Sequence, residues 1–213
     1  MILQRFYVSV VLLFLLAGCQ TFVPQETSTQ SLLEFEKNDF LLDYEQLQAL
    51  SSWNLKGAFS FANDADSGQG KIIWTSDNRY ETGLNTEVQL LGPFGAGAVR
   101  LESSNGGASL SQGKKVWNDV SAEALLEKVL HWRIPVEPLS YWLFGLPHPD
   151  IVGRYQLDES GHMIILQQSG WDITFKQYQK VGLLKRDLPR KIFATHAESN
   201  TRVRLVVSQR QTL

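Results

Sequence analysis

After Ser52 the chain falls into short stretches that alternate in hydropathy, broken only in the middle, and this limits what it can fold into more than any other feature. Trp53, Leu55, Gly57, Phe59 and Phe61 alternate with the polar or small Asn54, Lys56, Ala58 and Ser60. That is the two-residue period of a strand with one apolar face. Residues 63–70 read as a polar, glycine-containing turn, 71–75 as the returning strand and 76–78 as the next turn. Residues 79–86 read as another strand, with Tyr80, Thr82 and Leu84 on one side. Residues 88–91 lead into Gly92-Pro93-Phe94-Gly95, residues 98–101 lead out, and Ser104-Asn105-Gly106-Gly107 and Gln112-Gly113-Lys114 punctuate two further short strands. The pattern resumes over 154–157, 163–167, 171–176, 190–194 and 202–208. Short strands with turn signals at this spacing predict an antiparallel meander, and a single sheet of such length must curve around something.

Three segments carry a helical period instead. Ser31 with Glu34 three residues on has the form of a capping box, and Leu33, Phe40, Tyr44, Leu47 and Leu50 recur at helical spacing, which predicts a helix over about 31–50. Ser121 can cap a second helix, in which Leu125, Leu126, Val129 and Leu130 share a face until Ile134-Pro135 stops it. Residues 137–145 form a third, with Pro138 in its first turn and Gly145 at its end. Helices laid across the mouth of a curved sheet leave an apolar interior. Six tryptophans are available to line it or fill it. The sequence does not separate a filled core from a cavity.

The N-terminus reads as an export signal. One cation, Arg5, precedes an apolar run over residues 6–16 that is too short for a bilayer span, followed by Ala17-Gly18-Cys19. Leu16-Ala17-Gly18-Cys19 resembles the lipobox of bacterial lipoproteins, which implies cleavage before Cys19 and acylation of its thiol and new amine. Cys19 is the only cysteine, so no disulfide framework or thiol catalyst remains. Residues 1–18 are then a signal peptide, 19–30 an acylated terminus and Thr/Gln/Ser-rich tether, and 31–213 one domain. Gln20 follows the cysteine where an aspartate would resemble an inner-membrane retention signal, so the resemblance points to the outer membrane. The chain ends Thr212-Leu213 without an aromatic terminus, which argues against an integral barrel.

Chemistry is harder to find. Twenty basic against 22 acidic residues leave the chain near neutral, which suggests no nucleic acid or other polyanion as partner. The four histidines, His131, His148, His162 and His196, are widely spaced and match no metal-ligand pattern. No nucleophile elbow occurs, and Gly92–Gly97 lacks the Lys-Ser/Thr of a phosphate loop. The expectation is a protein that is not an enzyme and needs no cofactor. The most pointed local feature is Phe94, an aromatic residue between Pro93 and Gly95, in a turn that would ordinarily be polar. Either the loop folds back on the core, or it presents an apolar finger to lipid or to a partner.

These pieces together resemble the LolB family, the outer-membrane receptors for lipoproteins. The lipobox, Trp53-x-Leu-x-Gly57-x-Phe59, Leu91-Gly92-Pro93-Phe94-Gly95, Ile134-Pro135-Val136-x-Pro-Leu139-x-x-Trp142-Leu143-x-Gly145-Leu146-Pro147, Gly170-Trp171-Asp-Ile173-x-Phe175-x-x-Tyr178 and Leu188-Pro189 occur in the family's order. The resemblance implies a mainly β fold with a few helices, an open, curved antiparallel barrel of about eleven strands under a helical lid over an apolar cavity. It implies a monomer on the periplasmic face of a Gram-negative outer membrane. It also implies acceptance of acylated lipoproteins from a LolA-like periplasmic carrier and delivery of their acyl chains into outer-membrane lipid, without nucleotide. Cys19 matches the acylated cysteine. Phe94 stands where the family carries a protruding leucine that serves membrane insertion. With strand parity, the resemblance puts Phe59, Trp74, Leu101, Leu139, Trp142, Leu143 and Leu146 on the cavity wall. A tethered module for other apolar lipids, or a structural outer-membrane lipoprotein, would share the lipobox.

Overall fold

In the computed structural model, residues 31–77, 85–92 and 97–213 are described. Cys19, Phe94 and residues 79–84 of the strand expected over 79–86 lie outside them; the rest of that strand is the start of the strand over Asn85–Leu91. The strands are β1 (Leu33–Glu34), β2 (Ser52–Ala62), β3 (Ser67–Asp77), β4 (Asn85–Leu91), β5 (Val99–Ser104), β6 (Gly107–Gln112), β7 (Lys115–Asp119), β8 (Gly153–Leu157), β9 (Met163–Gln168), β10 (Trp171–Gln179), β11 (Leu188–His196) and β12 (Thr201–Thr212). All twelve belong to one sheet, in the order β1-β8-β9-β10-β11-β12-β2-β3-β4-β5-β6-β7. Each ladder is antiparallel. The sheet is open, with β1 and β7 as its edges. It is the expected architecture with one short strand added.

The extra strand comes from the first expected helix. Leu33 pairs with Tyr155 and Glu34 with Arg154, and the Phe35 N–H donates to Gly153 O at 2.8 Å. A 3₁₀ turn over Lys37–Phe40 follows, and helix α1 spans only Leu41–Ala49. The cap lies five residues downstream of its expected place: the Asp39 carboxylate accepts from the Glu36 N–H at 3.3 Å. Phe40 and Tyr44, four residues apart, are buried, whereas Leu33 is half exposed. The expectation of one helix from Ser31 was therefore too long, because sheet pairing outweighs local propensity at that end.

The second helix starts at its expected cap but ends at His131, before Ile134-Pro135, and the third runs from Val136 to Trp142 rather than to Gly145. In α2 (Ala122–Leu130) the Ser121 hydroxyl accepts from the Ala124 N–H at 3.1 Å. Its C-terminus closes on His131 at φ 58°, with the His131 and Trp132 N–H groups donating to Glu127 O and Leu126 O, a left-handed cap of the Schellman type. Helix α3 (Val136–Trp142) carries Pro138 in its first turn, where no N–H is required. Both helices bury apolar residues against the sheet: Leu125 and Leu126 from α2, Val136, Leu139 and Trp142 from α3.

Two glycines set how tightly the sheet bends. The turn between β2 and β3 is only Asn63–Asp66, closed by Asn63 Oδ1 accepting from the Ala65 and Asp66 N–H groups. Gly68 and Gly70 belong to the returning strand rather than to the turn. A Cβ on Gly70 would lie 2.0 Å from Leu91 O, and one on Gly57 would lie 2.4 Å from Val206 O. Neighbouring backbones therefore approach closer there than any side chain permits. Gly70→Ala is expected to cost roughly 2–3 kcal/mol, by analogy with overpacked cores, read as a lower urea midpoint at constant m value. A shift corresponding to less than about 0.5 kcal/mol would mean that the sheet flexes freely there.

Candidate functional site

Inward-facing side chains of five adjacent strands meet the lid over a cavity of about 50 Å³. Its walls are Phe59 and Phe61 of β2, Ile72 and Trp74 of β3, Val88 and Leu90 of β4, Val99 and Leu101 of β5, and Val203 and Leu205 of β12. Leu126, Trp132, Ile134, Val136 and Leu139 cover it. Every lining residue is apolar or aromatic. The strand contributions follow from the register: Leu205 lies opposite Phe59, Trp74 opposite Val88 and Val88 opposite Leu101, so one parity along all five strands faces inward. The buried indole N–H of Trp74 has no hydrogen-bond partner.

A cleft of about 700 Å³ adjoins the cavity. Its rim is Asp66 of the β2–β3 turn with Ser67–Gln69 at the start of β3, Gly92 and Gly97 on either side in sequence of the segment that holds Phe94, and Gln112. Trp132 lines both spaces, as do Phe59, Phe61, Leu90 and Val99. The Trp132 ring stacks on Phe61 at 4.4 Å and 26° and lies 6.3 Å from Phe59. Its Nε1–H donates to Asp66 Oδ2 at 3.2 Å, and Asn63 Nδ2 donates to the neighbouring carbonyl of His131 at 2.9 Å. Gly68 admits the indole: a Cβ there would meet it at 3.3 Å. Trp132 is thus pinned at the boundary between mouth and cavity by one stack and one hydrogen bond.

Of the residues expected on the wall, Phe59, Trp74, Leu101 and Leu139 line the cavity. Trp142, Leu143 and Leu146 are fully buried but are not among its lining residues, because the chain carries them past it to the other half of the sheet. Trp142 donates its Nε1–H to Gln168 Oε1 at 3.1 Å and lies 6.1 Å from Trp171. Leu143 O accepts from Arg210 Nη2 at 2.8 Å, and Pro189 O accepts from the same nitrogen. Burial pushes the Arg210 guanidinium down to about 10, which leaves it charged at neutral pH as a clasp on the lid. The sequence reading missed Trp132, Phe61, Val203, Leu205 and Arg210 as site residues. Strand parity could have supplied Phe61, Val203 and Leu205.

The described histidines hold structural positions. His148 Nδ1 accepts from the Asp150 N–H, His162 stacks on Tyr178 between Asp158 and Asp187, and His196 contacts Ser199. No group of three or more potential metal ligands occurs among the described residues.

An open, curved antiparallel sheet whose lid covers a wholly apolar pocket belongs to a class of folds that offer burial to apolar groups. The model of the family described as "Outer membrane lipoprotein LolB" matches residues 51–209. The outer-membrane lipoprotein LolB of Chromohalobacter salexigens is 32% identical over 209 residues, 98% of this chain and 91% of that protein. That of Pseudomonas fluorescens is 34% identical over 179 residues, 83% and 82% of the two chains. Among solved structures, a LolA superfamily protein from Nitrosomonas europaea is similar at a TM-score of 0.46 and 8% identity, over 84% of this chain and 94% of that one. The chain belongs to the LolB family of outer-membrane lipoproteins. Its place is the outer membrane and its function that of a lipoprotein receptor.

Proposed function

We propose that this chain takes acylated lipoproteins from a LolA-like periplasmic carrier and passes their acyl chains to outer-membrane lipid, with no nucleotide and no bond broken. Cleavage before Cys19 and acylation there anchor a monomeric body to the membrane through residues 19–30. The observation that carries the reading is the all-apolar cavity beneath the lid, adjoining the wider mouth through Trp132. Each methylene moved into such a wall contributes about 0.8 kcal/mol, and each 1.4 kcal/mol of extra burial shifts the partition from the carrier tenfold. The closed cavity has room for only a few methylenes, so cargo must lift the lid as it enters. Burial of this kind does not read headgroup or sequence, so one receptor serves many lipoproteins.

The test is an equilibrium transfer. The unacylated Cys19→Ala form, lacking the signal peptide, is mixed with a lipoprotein-loaded carrier, and the complexes are separated. Most cargo is expected on this protein without ATP. Cargo that stays on a carrier able to release to another receptor would reject the reading in favour of a tethered module for other apolar lipids.

Phe94, which the sequence places between Gly92 and Gly97, supplies the final step as an apolar residue suited to a membrane interface. In the acylated protein, Phe94→Glu is expected to leave cargo acceptance within about twofold. It is expected to slow delivery into vesicles by tenfold or more, since a charge must then enter the interface. Equal delivery by the two forms would remove Phe94 from the mechanism.

A further inference from the structure

The outer face of the sheet, opposite the cavity, carries a band of positive charge that the reading above does not use. Lys176 of β10, Lys191 of β11, Arg202 and Arg204 of β12, Lys56 of β2 and Lys71 of β3 alternate with buried neighbours and so share that face. The ladders fix their spacing: Lys176 is directly opposite Lys191, Lys191 opposite Val206, Val206 opposite Ala58 and Ala58 opposite Lys71. Five strands make the band about 20 Å wide.

Its composition runs against that of the chain as a whole, whose net charge is −2. On these five strands the only carboxylates are Asp172 and Asp77, near opposite corners of the face, and Asp172 already accepts from Gln167 at 2.8 Å. None of the six cations forms an ion pair with a described carboxylate. Lys176 and Arg204 instead flank the half-buried ring of Phe193, at 5.8 and 5.2 Å from its centroid. Like charges directly across a ladder, as at Lys176 and Lys191, weaken pairing. A folded sheet gains nothing from that arrangement unless an anionic surface compensates it.

We propose that this face lies against a bilayer surface bearing anionic phospholipid headgroups and so sets the orientation of the anchored body. The inference rests on outer-membrane anchorage, not on acyl transfer. The 12 residues between Cys19 and Leu32 reach at most about 45 Å, which keeps the body near lipid and leaves its orientation to be set by its surface. Side chains between the cations are small or apolar (Ala58, Ser60, Val206), so nothing holds the basic groups away from phosphate. A headgroup layer is continuous and matches a band spread over five strands.

The test uses the full acylated protein in vesicles of neutral phosphatidylcholine alone or mixed with anionic phosphatidylglycerol. Lysines are labelled with an amine-reactive reagent and read by mass spectrometry. Lys56, Lys71, Lys176 and Lys191 are expected to label at least about fivefold more slowly on anionic vesicles, the factor that one basic contact supplies. Lys114 and Lys115, at the β6–β7 turn, should label equally on both. Salt near roughly 0.5 M should erase the difference by screening, and so should Arg202→Glu combined with Arg204→Glu. Equal labelling on both vesicles would overturn the proposal. So would protection that needs an added acidic protein on neutral vesicles, which would reassign the face to protein docking. Neither result depends on cargo transfer.

Discussion

Replacing Gln168 with leucine is expected to lower stability by about 4 kcal/mol. Gln168 is 2% exposed, and its amide uses both ends. Oε1 accepts from Trp142 Nε1 at 3.1 Å and from the His148 N–H at 2.8 Å, while Nε2 donates to His148 O at 3.1 Å and Ile151 O at 2.8 Å. The last strand residue before the β9–β10 turn thus ties the end of α3 and the extended exit from the lid to the sheet. Leucine has a similar volume but leaves two donors and two acceptors buried without partners, each costing about 1–3 kcal/mol before relaxation. For a chain of this size, a loss of 4 kcal/mol lowers Tm by roughly 8–16 °C. Gln168→Glu separates hydrogen bonding from packing. The ionised carboxylate can accept from Trp142 and His148 but repels the two carbonyls, so the introduced carboxyl is stable only when protonated and its folded pKa is raised. Stability should therefore be greatest below the unfolded carboxyl value, near 4, and fall as pH rises through the folded value. A loss under about 1 kcal/mol for the leucine variant, or no pH dependence for the glutamate variant, would show that water replaces the amide.

The strand half of this site was legible because period two is a local signal. Once Phe59 is assigned inward, Trp74 and Leu101 follow by parity across paired strands, and the structure lines the cavity with all three. The α2 cap and the proline in α3 were equally local, since Ser121 needs only the next turn of its own helix. Trp132 was not legible as a boundary residue. It follows a helix in an irregular segment, and its partners Phe61 and Asp66 lie some 70 residues earlier. No periodicity links those positions; only closure of the lid over the β2–β3 turn does. Trp142, Leu143 and Leu146 were hydrophobic for a reason the sequence does not show, because the half of the sheet they cover includes Trp171 and Arg210, later in the chain. Leu33 was misread as helical for the same reason: its strand partner, Tyr155, is over a hundred residues away.

Trp132→Ala is expected to make the body a tighter and slower-releasing holder of acyl chains. In the closed form an entering chain must displace the indole, which breaks a stack worth about 1 kcal/mol and a hydrogen bond to a carboxylate worth about 1.5 kcal/mol in a half-buried setting. Removing that barrier without touching the rest of the wall should raise acyl-chain affinity about thirtyfold, the equivalent of about 2 kcal/mol. The space once filled by the ring becomes additional wall contact for the ligand. Removing the ring should destabilise the empty protein by about 3 kcal/mol, as other buried aromatic truncations do, and bound acyl chain should restore part of that. A palmitoylated peptide titrated by calorimetry gives the affinity, and the rise in Tm with ligand gives the restored stability. Trp132→Phe keeps a ring over Phe61 but loses the bond to Asp66, and should fall between the two. In the transfer reaction the alanine variant should take cargo from the carrier more completely yet deliver it to vesicles more slowly, because affinity gained by the receptor is lost to the final step. A variant that is less stable but unchanged in both affinity and delivery would place Trp132 in the fold alone. The route to the cavity would then lie elsewhere along the lid.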